Sequence, residues 1–389
     1  MSEKTDKKNT AKVVDIIFVV TFILILIIPF VFMDHTPVID SVIENRRMTM
    51  WPGFGFDSLH NDWFGHYAED RVFLREEAIR LKADANALLF DDFSEDLHMW
   101  GKEGYIYPAD KDYIGNYQRL NVNEDLIYDL TTYAANTEGY AKENGMAFVL
   151  MIAPNKSSVY PEFMPDDIHM DESRASLLSC IRESADKKGV TCVIPDDVLT
   201  DNKESLLIGG DIFGTYNKRY DCAHWNDFGA FCALKKVDEV IAGKVNVPAV
   251  TDKDFDKSVC KKDDLEFFTS DYKISDVIPV FTCNKPAGEA AQLSFEPTVL
   301  PGNNMAYIHN EEALSDKSIL ILHDSFLDGK ESWYSYRYKD VYITSRVNYE
   351  NMKEYMDNIH PDVILFEVAE RSFVDDLPAY TSLGSISYH

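Results

Sequence analysis

The sequence predicts an α/β fold built on a parallel sheet, with one membrane-spanning helix ahead of it. Three observations carry that expectation. "MAFVLMIAP" (Met146–Pro154), "SILIL" (Ser318–Leu322) and "DVILFEV" (Asp362–Val368) are continuous apolar runs. Runs of this kind suit strands buried on both faces, the habit of parallel sheets. Segments of helical periodicity lie between them, and strands alternating with helices make a parallel α/β sheet. The third observation is a long apolar run near the N-terminus.

That run is "VVDIIFVVTFILILIIPFVFM", Val13–Met33, and Asp15 is its only charge. It matches the ~20 apolar residues that cross a bilayer. Lys7, Lys8 and Lys12 precede it, and basic flanks stay in the cytoplasm. Residues 1–12 are therefore expected as a cytoplasmic tail, 13–33 as a signal anchor, and the remainder outside the cell membrane. A cleaved signal peptide is the alternative. The following "VFMDHTPVID" shows no small-x-small cleavage site. Pro29 is tolerable near the end of a membrane helix.

Residues 34–100 read as a helical stalk or collar. From Asp57 to Phe90 the residues Trp63, Phe64, Tyr67, Phe73, Ala78, Leu81, Ala85 and Leu88 approximate a 3.6-residue period. Residues 101–389 form the main domain. "GKEGYIYP" (Gly101–Pro108) is a glycine-bounded aromatic strand. Asn123–Asn144 is a helix with Leu126, Leu130, Tyr133, Ala134 and Tyr140 on one face. Ser173–Lys188 is a helix, "VTCVIP" a strand, Trp225–Ala242 a helix, and Lys353–Asn358 belongs to a helix ending before Pro361. Between residues 245 and 316 the alternation is lost, and a β-rich insertion is expected there.

The 389 residues carry a formal net charge of −28, with a pI near 4.6. Such a chain lacks the basic face that nucleic acids or anionic lipids require, so no nucleic-acid partner is expected. The acidity reads as a solvated surface. Six cysteines are scattered without a CxxC pair, which argues against a zinc ribbon. Cys260 and Cys283 are the best candidates for a disulfide. Cys222 and Cys232 read equally well as small buried hydrophobes.

"YDCAHWNDFGA" (Tyr220–Ala230) and "HDSFLDG" (His323–Gly329) hold the candidate chemistry. Ligands of open α/β sheets bind at the carboxyl ends of the strands. Ser325 follows the SILIL strand at a turn, where a nucleophile's Oγ is exposed. Serine needs a base to take its proton; His224 is the candidate, with Asp221 to hold its tautomer. Each residue also has a plainer reading. Asp324–Ser325 can be a helix cap, His224 a structural histidine, and Asp221 a turn residue.

Taken together these stretches resemble the permuted SGNH-hydrolase-like proteins of the alginate O-acetyltransferase type, the DHHW family. "ENRR" with "EDRVFLR", "GKEGYIYP", "IAPNKSSVYPEFMP" (Ile152–Pro165) and "PDVILFEVAER" are similar to further segments of that family, in its order. The resemblance spans Glu44 to Phe373. It implies the three-layer SGNH-like fold, with Ser325 as nucleophile, His224 as base and Asp221 as orienting carboxylate. Two departures stand out. His323 replaces the usual glycine before Asp-Ser, and Asp221 lies three residues before His224 rather than two, with Cys222 in the nearer place. The Ser325 backbone N–H is a natural oxyanion donor.

Substrate-binding candidates are Trp225, Asn155, Lys156, Glu367 and Arg371. Trp225 is expected to pack beneath His224, or to stack a sugar if exposed. Lys156 reads equally as a solvated loop charge. Arg371 reads equally as a bridge to Glu367 or Glu370. The resemblance implies a membrane-anchored O-acetyltransferase that modifies a cell-surface or secreted polysaccharide through an acyl-enzyme. It needs no metal or organic cofactor, and its acetyl donor arrives through a membrane-bound O-acyltransferase. Two alternatives stay open: a carbohydrate esterase with the same three residues, and a non-catalytic envelope scaffold or carbohydrate-binding protein.

Overall fold

The structure, a computed structural model, describes residues 2–36, 40–41, 46–50, 63–90, 98–262, 275–294, 304–373 and 383–388. The start of the expected stalk helix at residues 57–62, the "EN" of "ENRR", and residues 263–274 and 295–303 of the expected insertion lie outside these residues. The chain divides into two compact units, Met1–Glu95 with Glu266–Lys273, and Asp96–Leu265 with Ile274–His389.

In the first unit, α1 spans Ser2–Val31, and its apolar side chains from Val13 to Val31 are exposed wherever they are described. The side chains of Leu26, Pro29 and Phe30 lie outside the description. Among the described residues, no helix is long and apolar enough to cross a membrane. The periodic stretch ending at Phe90 is helical as two segments, α2 (Trp63–Arg71) and α3 (Arg75–Phe90). Leu74 between them has φ 60°, a left-handed backbone that a right-handed helix cannot pass through.

The second unit holds a seven-stranded sheet. Its strands are β1 (Ala147–Ala153), β2 (Cys192–Val193), β3 (Glu289–Ser294), β4 (Asn304–His309), β5 (Ser318–His323), β6 (Asp340–Ser345) and β7 (Val363–Ala369). Their spatial order is β3-β4-β6-β5-β7-β1-β2. From β6 to β2 every pairing is parallel, whereas β3 and β4 add an antiparallel edge. The three apolar runs thus become adjacent central strands, with Leu320 beside Ile364 and Ile364 beside Phe148.

Each strand buries alternate side chains on opposite faces, as a period of two requires. Val149, Met151, Ile319, Ile321, Val363 and Leu365 face one core, shared with Phe228, Phe231 and Leu234 of α6 (Asp227–Ala242). Phe148, Leu150, Leu320, Leu322, Ile364 and Phe366 face the other. That core is closed by α4 (Glu124–Glu143), α5 (Leu177–Lys188) and α7 (Met352–Ile359). Their ends follow local chemistry. Asn123, Ser176 and Asn226 cap α4, α5 and α6 through their side chains, and α5 stops at Gly189, φ 68°.

The segment after residue 245 contributes a separate antiparallel hairpin, Phe255–Lys262 with Asp276–Cys283, as well as β3 and β4. In that hairpin Cys260 stands opposite Ile278, and Cys283 opposite Phe255. The five-residue offset separates the two sulfurs by roughly 17 Å along the strands, so the expected pairing does not form. All six cysteines are free thiols. Burial, the largest influence, pushes Cys192, Cys222 and Cys232 up to about 12.

Candidate active site

Strand β5 ends at His323, and the chain turns at once into a short 3-10 helix, Ser325–Leu327, capped by Asp324. That turn is held by ionic contacts beneath it. The Asp324 carboxylate accepts from Arg346 Nε at 2.6 Å, from Ser372 Oγ at 2.8 Å and from the Ser325 N–H at 2.9 Å. Burial alone would raise its pKa. Arg346 and these donors outweigh that and hold it down at about 2. The Asp324 N–H donates to Glu367 Oε2 at 2.6 Å. Glu367, at the end of β7, is fully buried; burial first, and the Asp324 charge second, push its carboxyl up to about 8.

The second half of the site is the loop ahead of α6. Asp221 sits at φ 49°, in the left-handed region, and its Oδ1 accepts from the N–H groups of Ala223 (3.3 Å) and His224 (3.1 Å). The same carboxylate faces the imidazole, Oδ1 at 2.8 Å and Oδ2 at 3.0 Å from His224 Nδ1. Burial works to raise the Asp221 pKa, and the His224 contacts bring it below the usual value. An ionised acceptor on Nδ1–H makes Nε2 the ring's acceptor, the atom that can take a proton. Ser325 Oγ lies 2.8 Å from that Nε2. Residues about a hundred positions apart are joined in one line, Asp221–His224–Ser325.

Arg371, just beyond β7, completes the group. Its Nη1 donates to the Ala223 carbonyl at 3.1 Å, and Nη2 to Ser325 Oγ at 3.0 Å and to His224 Nε2. The guanidinium lies over the Phe326 ring, 4.9 Å from its centroid. It does not bridge to Glu367 or Glu370, the partners that the sequence offered. Glu370 instead accepts from the Asn155 N–H (2.7 Å) and Ser158 Oγ (2.9 Å).

Three other candidates lie inside the protein, where no substrate reaches them. Trp225 is 5% exposed, packs edge-on to Phe326 at 4.8 Å and donates through Nε1 to the Phe326 carbonyl at 2.8 Å. It supports the histidine at one remove, because Phe326 is the ring that meets His224, at 5.0 Å. Asn155 is buried behind the end of β1. Lys156 is no solvated charge but fully buried. Its Nζ donates to the carbonyls of Ile106 (2.8 Å) and Lys218 (3.1 Å) and lies over Tyr105 and Tyr107. Burial pushes its pKa down to about 8. Strand-end polar residues suggest a rim in sequence; only packing shows that these point inward. The Ser325 N–H, expected as an oxyanion donor, is engaged by Asp324. Arg346 and Asp276 carried no motif that would have pointed to them. Asp276 Oδ2 accepts from the N–H groups of Arg219 (2.7 Å) and Tyr220 (3.0 Å) and so pins the histidine loop.

A cleft of about 420 Å³ opens at Ser325, at the carboxyl ends of β5 and β6, lined also by Ala306, His323, Asp324, Asp328, Glu331, Ile343, Thr344 and Ser345; His224 and Arg371 lie behind Ser325 and are not on its wall. Serine, imidazole and carboxylate in hydrogen-bonded sequence beside a cleft are equipped for acyl transfer through the serine oxygen.

No family profile matches the chain, and no curated protein does. Among solved structures, the chain is similar to Bacillus cereus PatB1, at 13% identity over 74% of this chain and 99% of that one, TM-score 0.54. PatB1 with a sulfonyl adduct matches at 13% identity over 67% and 93%, TM-score 0.50. The O-acetyltransferase domain of Pseudomonas putida AlgJ is 12% identical over 74% and 98%, TM-score 0.48. The PatB1 likeness is one of fold, a mixed α/β chain around a central parallel sheet.

Proposed function

We propose that this protein is an O-acetyltransferase that moves an acetyl group onto a polysaccharide hydroxyl through an acyl-enzyme on Ser325. The observation that carries the reading is the 2.8 Å contact between Ser325 Oγ and His224 Nε2, with Asp221 at 2.8 Å on the other ring nitrogen. His224 takes the Ser325 proton as Oγ attacks the acetyl carbonyl, then returns it to the departing group. His224 then takes the proton of a sugar hydroxyl as that oxygen attacks the acetyl-serine; the acyl C–Oγ bond breaks, His224 returns the proton to Ser325 Oγ, and the acetylated sugar leaves. The family resemblance of the "YDCAHW" and "HDSF" stretches favours this outcome, and the shared fold with PatB1 agrees with it.

The same reading includes an anchor. Val13–Met33, with Lys7, Lys8 and Lys12 before it, would place the domain outside the cell membrane, beside an acetyl donor supplied by a membrane-bound O-acyltransferase. Water in place of the sugar turns the same steps into an esterase.

Turnover of 4-nitrophenyl acetate, with and without a xylan-type oligosaccharide, tests the proposal. The wild type should release nitrophenol and yield acetylated oligosaccharide, detected by mass. Ser325→Ala should do neither, at an unchanged melting temperature. Acetate alone as product, whatever the acceptor, would favour the esterase. Turnover surviving in Ser325→Ala would sink the mechanism.

A further inference from the structure

The backbone donor expected at the nucleophile is already engaged. In acyl transfer the carbonyl oxygen gains negative charge as the nucleophile adds, and donors must already point at it. The nucleophile's own N–H commonly serves, but the Ser325 N–H donates to Asp324 Oδ1 at 2.9 Å. That carboxylate is ionised and held by Arg346. A developing oxyanion beside it would meet an occupied donor and a negative charge.

Arg371 reaches Ser325 Oγ itself. Its Nη1 is anchored on the Ala223 carbonyl at 3.1 Å, and its Nη2 touches Ser325 Oγ at 3.0 Å and His224 Nε2 as well. A neutral imidazole whose Nδ1–H faces Asp221 has one lone pair, at Nε2. Ser325 O–H and Arg371 N–H both converge on it, and only one can donate at a time. The serine must win for the reaction to start. The Nη2 hydrogen is then free to take another acceptor within reach of Ser325 Oγ, where the substrate carbonyl must lie. No other cationic side chain donates to Ser325 among the described residues.

From this geometry we infer that Arg371 is a catalytic residue, the oxyanion donor of the reaction. The inference rests on the Ser325 acyl-transfer reading given above. The Ser325 Oγ–H proton goes to His224 Nε2, and Oγ forms a bond to the acetyl carbon. The carbonyl π pair moves onto oxygen, where the Arg371 Nη2–H receives it. When the tetrahedral adduct collapses, that pair re-forms the carbonyl, the C–O bond to the leaving group breaks, and His224 protonates the departing oxygen. The guanidinium keeps its charge throughout, as its high pKa requires.

Steady-state kinetics of Arg371→Gln and Arg371→Lys on 4-nitrophenyl acetate test the assignment. Loss of one oxyanion donor lowers kcat by about 10²–10³-fold. Arg371→Gln is expected to show that loss with KM nearly unchanged, and Arg371→Lys a smaller loss. Added methylguanidinium should restore part of kcat to Arg371→Ala and none to Ser325→Ala. A kcat for Arg371→Gln within about threefold of wild type, or a loss confined to KM, overturns the inference. If Arg371→Gln does not fold, Arg371→Lys decides alone: reduced kcat at constant KM supports the role, and wild-type kcat removes it. Ester turnover that depends on Ser325 yet survives Arg371→Gln removes this inference only. Wild-type protein that neither turns over the ester nor is labelled at Ser325 by phenylmethanesulfonyl fluoride removes both readings.

Discussion

The turn at Ser325 is fixed from beneath by charged groups at the strand ends, whereas the loop at His224 is fixed from outside by neighbouring chain. Asp324 reaches Arg346, Ser372 and the Ser325 N–H, and its own N–H is held by Glu367. The His224 loop hangs on contacts from separate elements: Asp276 of the hairpin, the Lys156 ammonium, the Arg371 guanidinium on Ala223, and Trp225 on Phe326. Nucleophile position is therefore tied to the stability of the sheet. Base position depends on contacts that can be lost while the sheet stays folded.

The largest expected effect falls on the loop. Asp221→Asn keeps an Oδ1 to accept from the Ala223 and His224 N–H groups, so the turn survives. Its amide cannot accept as a carboxylate does through both oxygens, and it favours the wrong imidazole tautomer. A loss of kcat on the order of 10³–10⁴-fold is expected, with the melting temperature nearly constant. A loss below about tenfold, or a large drop in melting temperature, would break the contrast between the two halves.

The turn should behave oppositely. Arg346→Met leaves a largely buried carboxylate without its cation, which costs about 3 kcal/mol, read by urea unfolding, and lowers kcat in parallel. The pH dependence follows. The folded pKa of Asp324 is depressed to about 2, against ~3.9 unfolded. Its stabilisation is present above about pH 4 and is lost as pH falls towards 2. Arg346→Met should flatten that acid limb; an acid limb unchanged from wild type would place the stabilisation elsewhere.

Asp276→Ala should have the smallest effect. Two backbone N–H groups lose one acceptor, and water can replace part of it, at about 1–2 kcal/mol. A fall in kcat of about tenfold with little change in the rest of the domain would sharpen the comparison. Stability lost without any change in kcat would show that the hairpin does not position the base.

Legibility in sequence follows the same division. The central strands were readable because burial on both faces demands unbroken apolar runs, and β1, β5 and β7 lie within a residue or two of those runs. The capped helix α4 was as plain, since Asn123 announces its start. Ser325 and His224 were readable as residue types at strand–helix junctions, but their meeting is a long-range fact. Asn155 and Lys156 were misplaced for one reason, whereas Trp225 packs as expected, though on Phe326 rather than on the histidine itself. A polar or amphipathic residue after a strand can point out or in, and local pattern does not choose. Lys156 points in because two carbonyls and two aromatic rings receive its ammonium. Arg371 had two acidic neighbours in sequence and bonds to neither, because Glu370 turns toward Asn155 and Ser158.

The unpaired cysteines have a chemical consequence of their own. A thiol whose pKa burial pushes up, as at Cys192, Cys222 and Cys232, stays protonated at neutral pH, and the thiolate is the form that attacks disulfides, electrophiles and oxidants. Cys222 stands two residues from His224, yet burial keeps it a spectator. The fold therefore asks nothing of an oxidant to form and little of a reductant to persist. Cys222 is the buried one of the three; an alkylating reagent would find its sulfur in molecules that have already opened there, so its labelling rate is a clock for opening of the core.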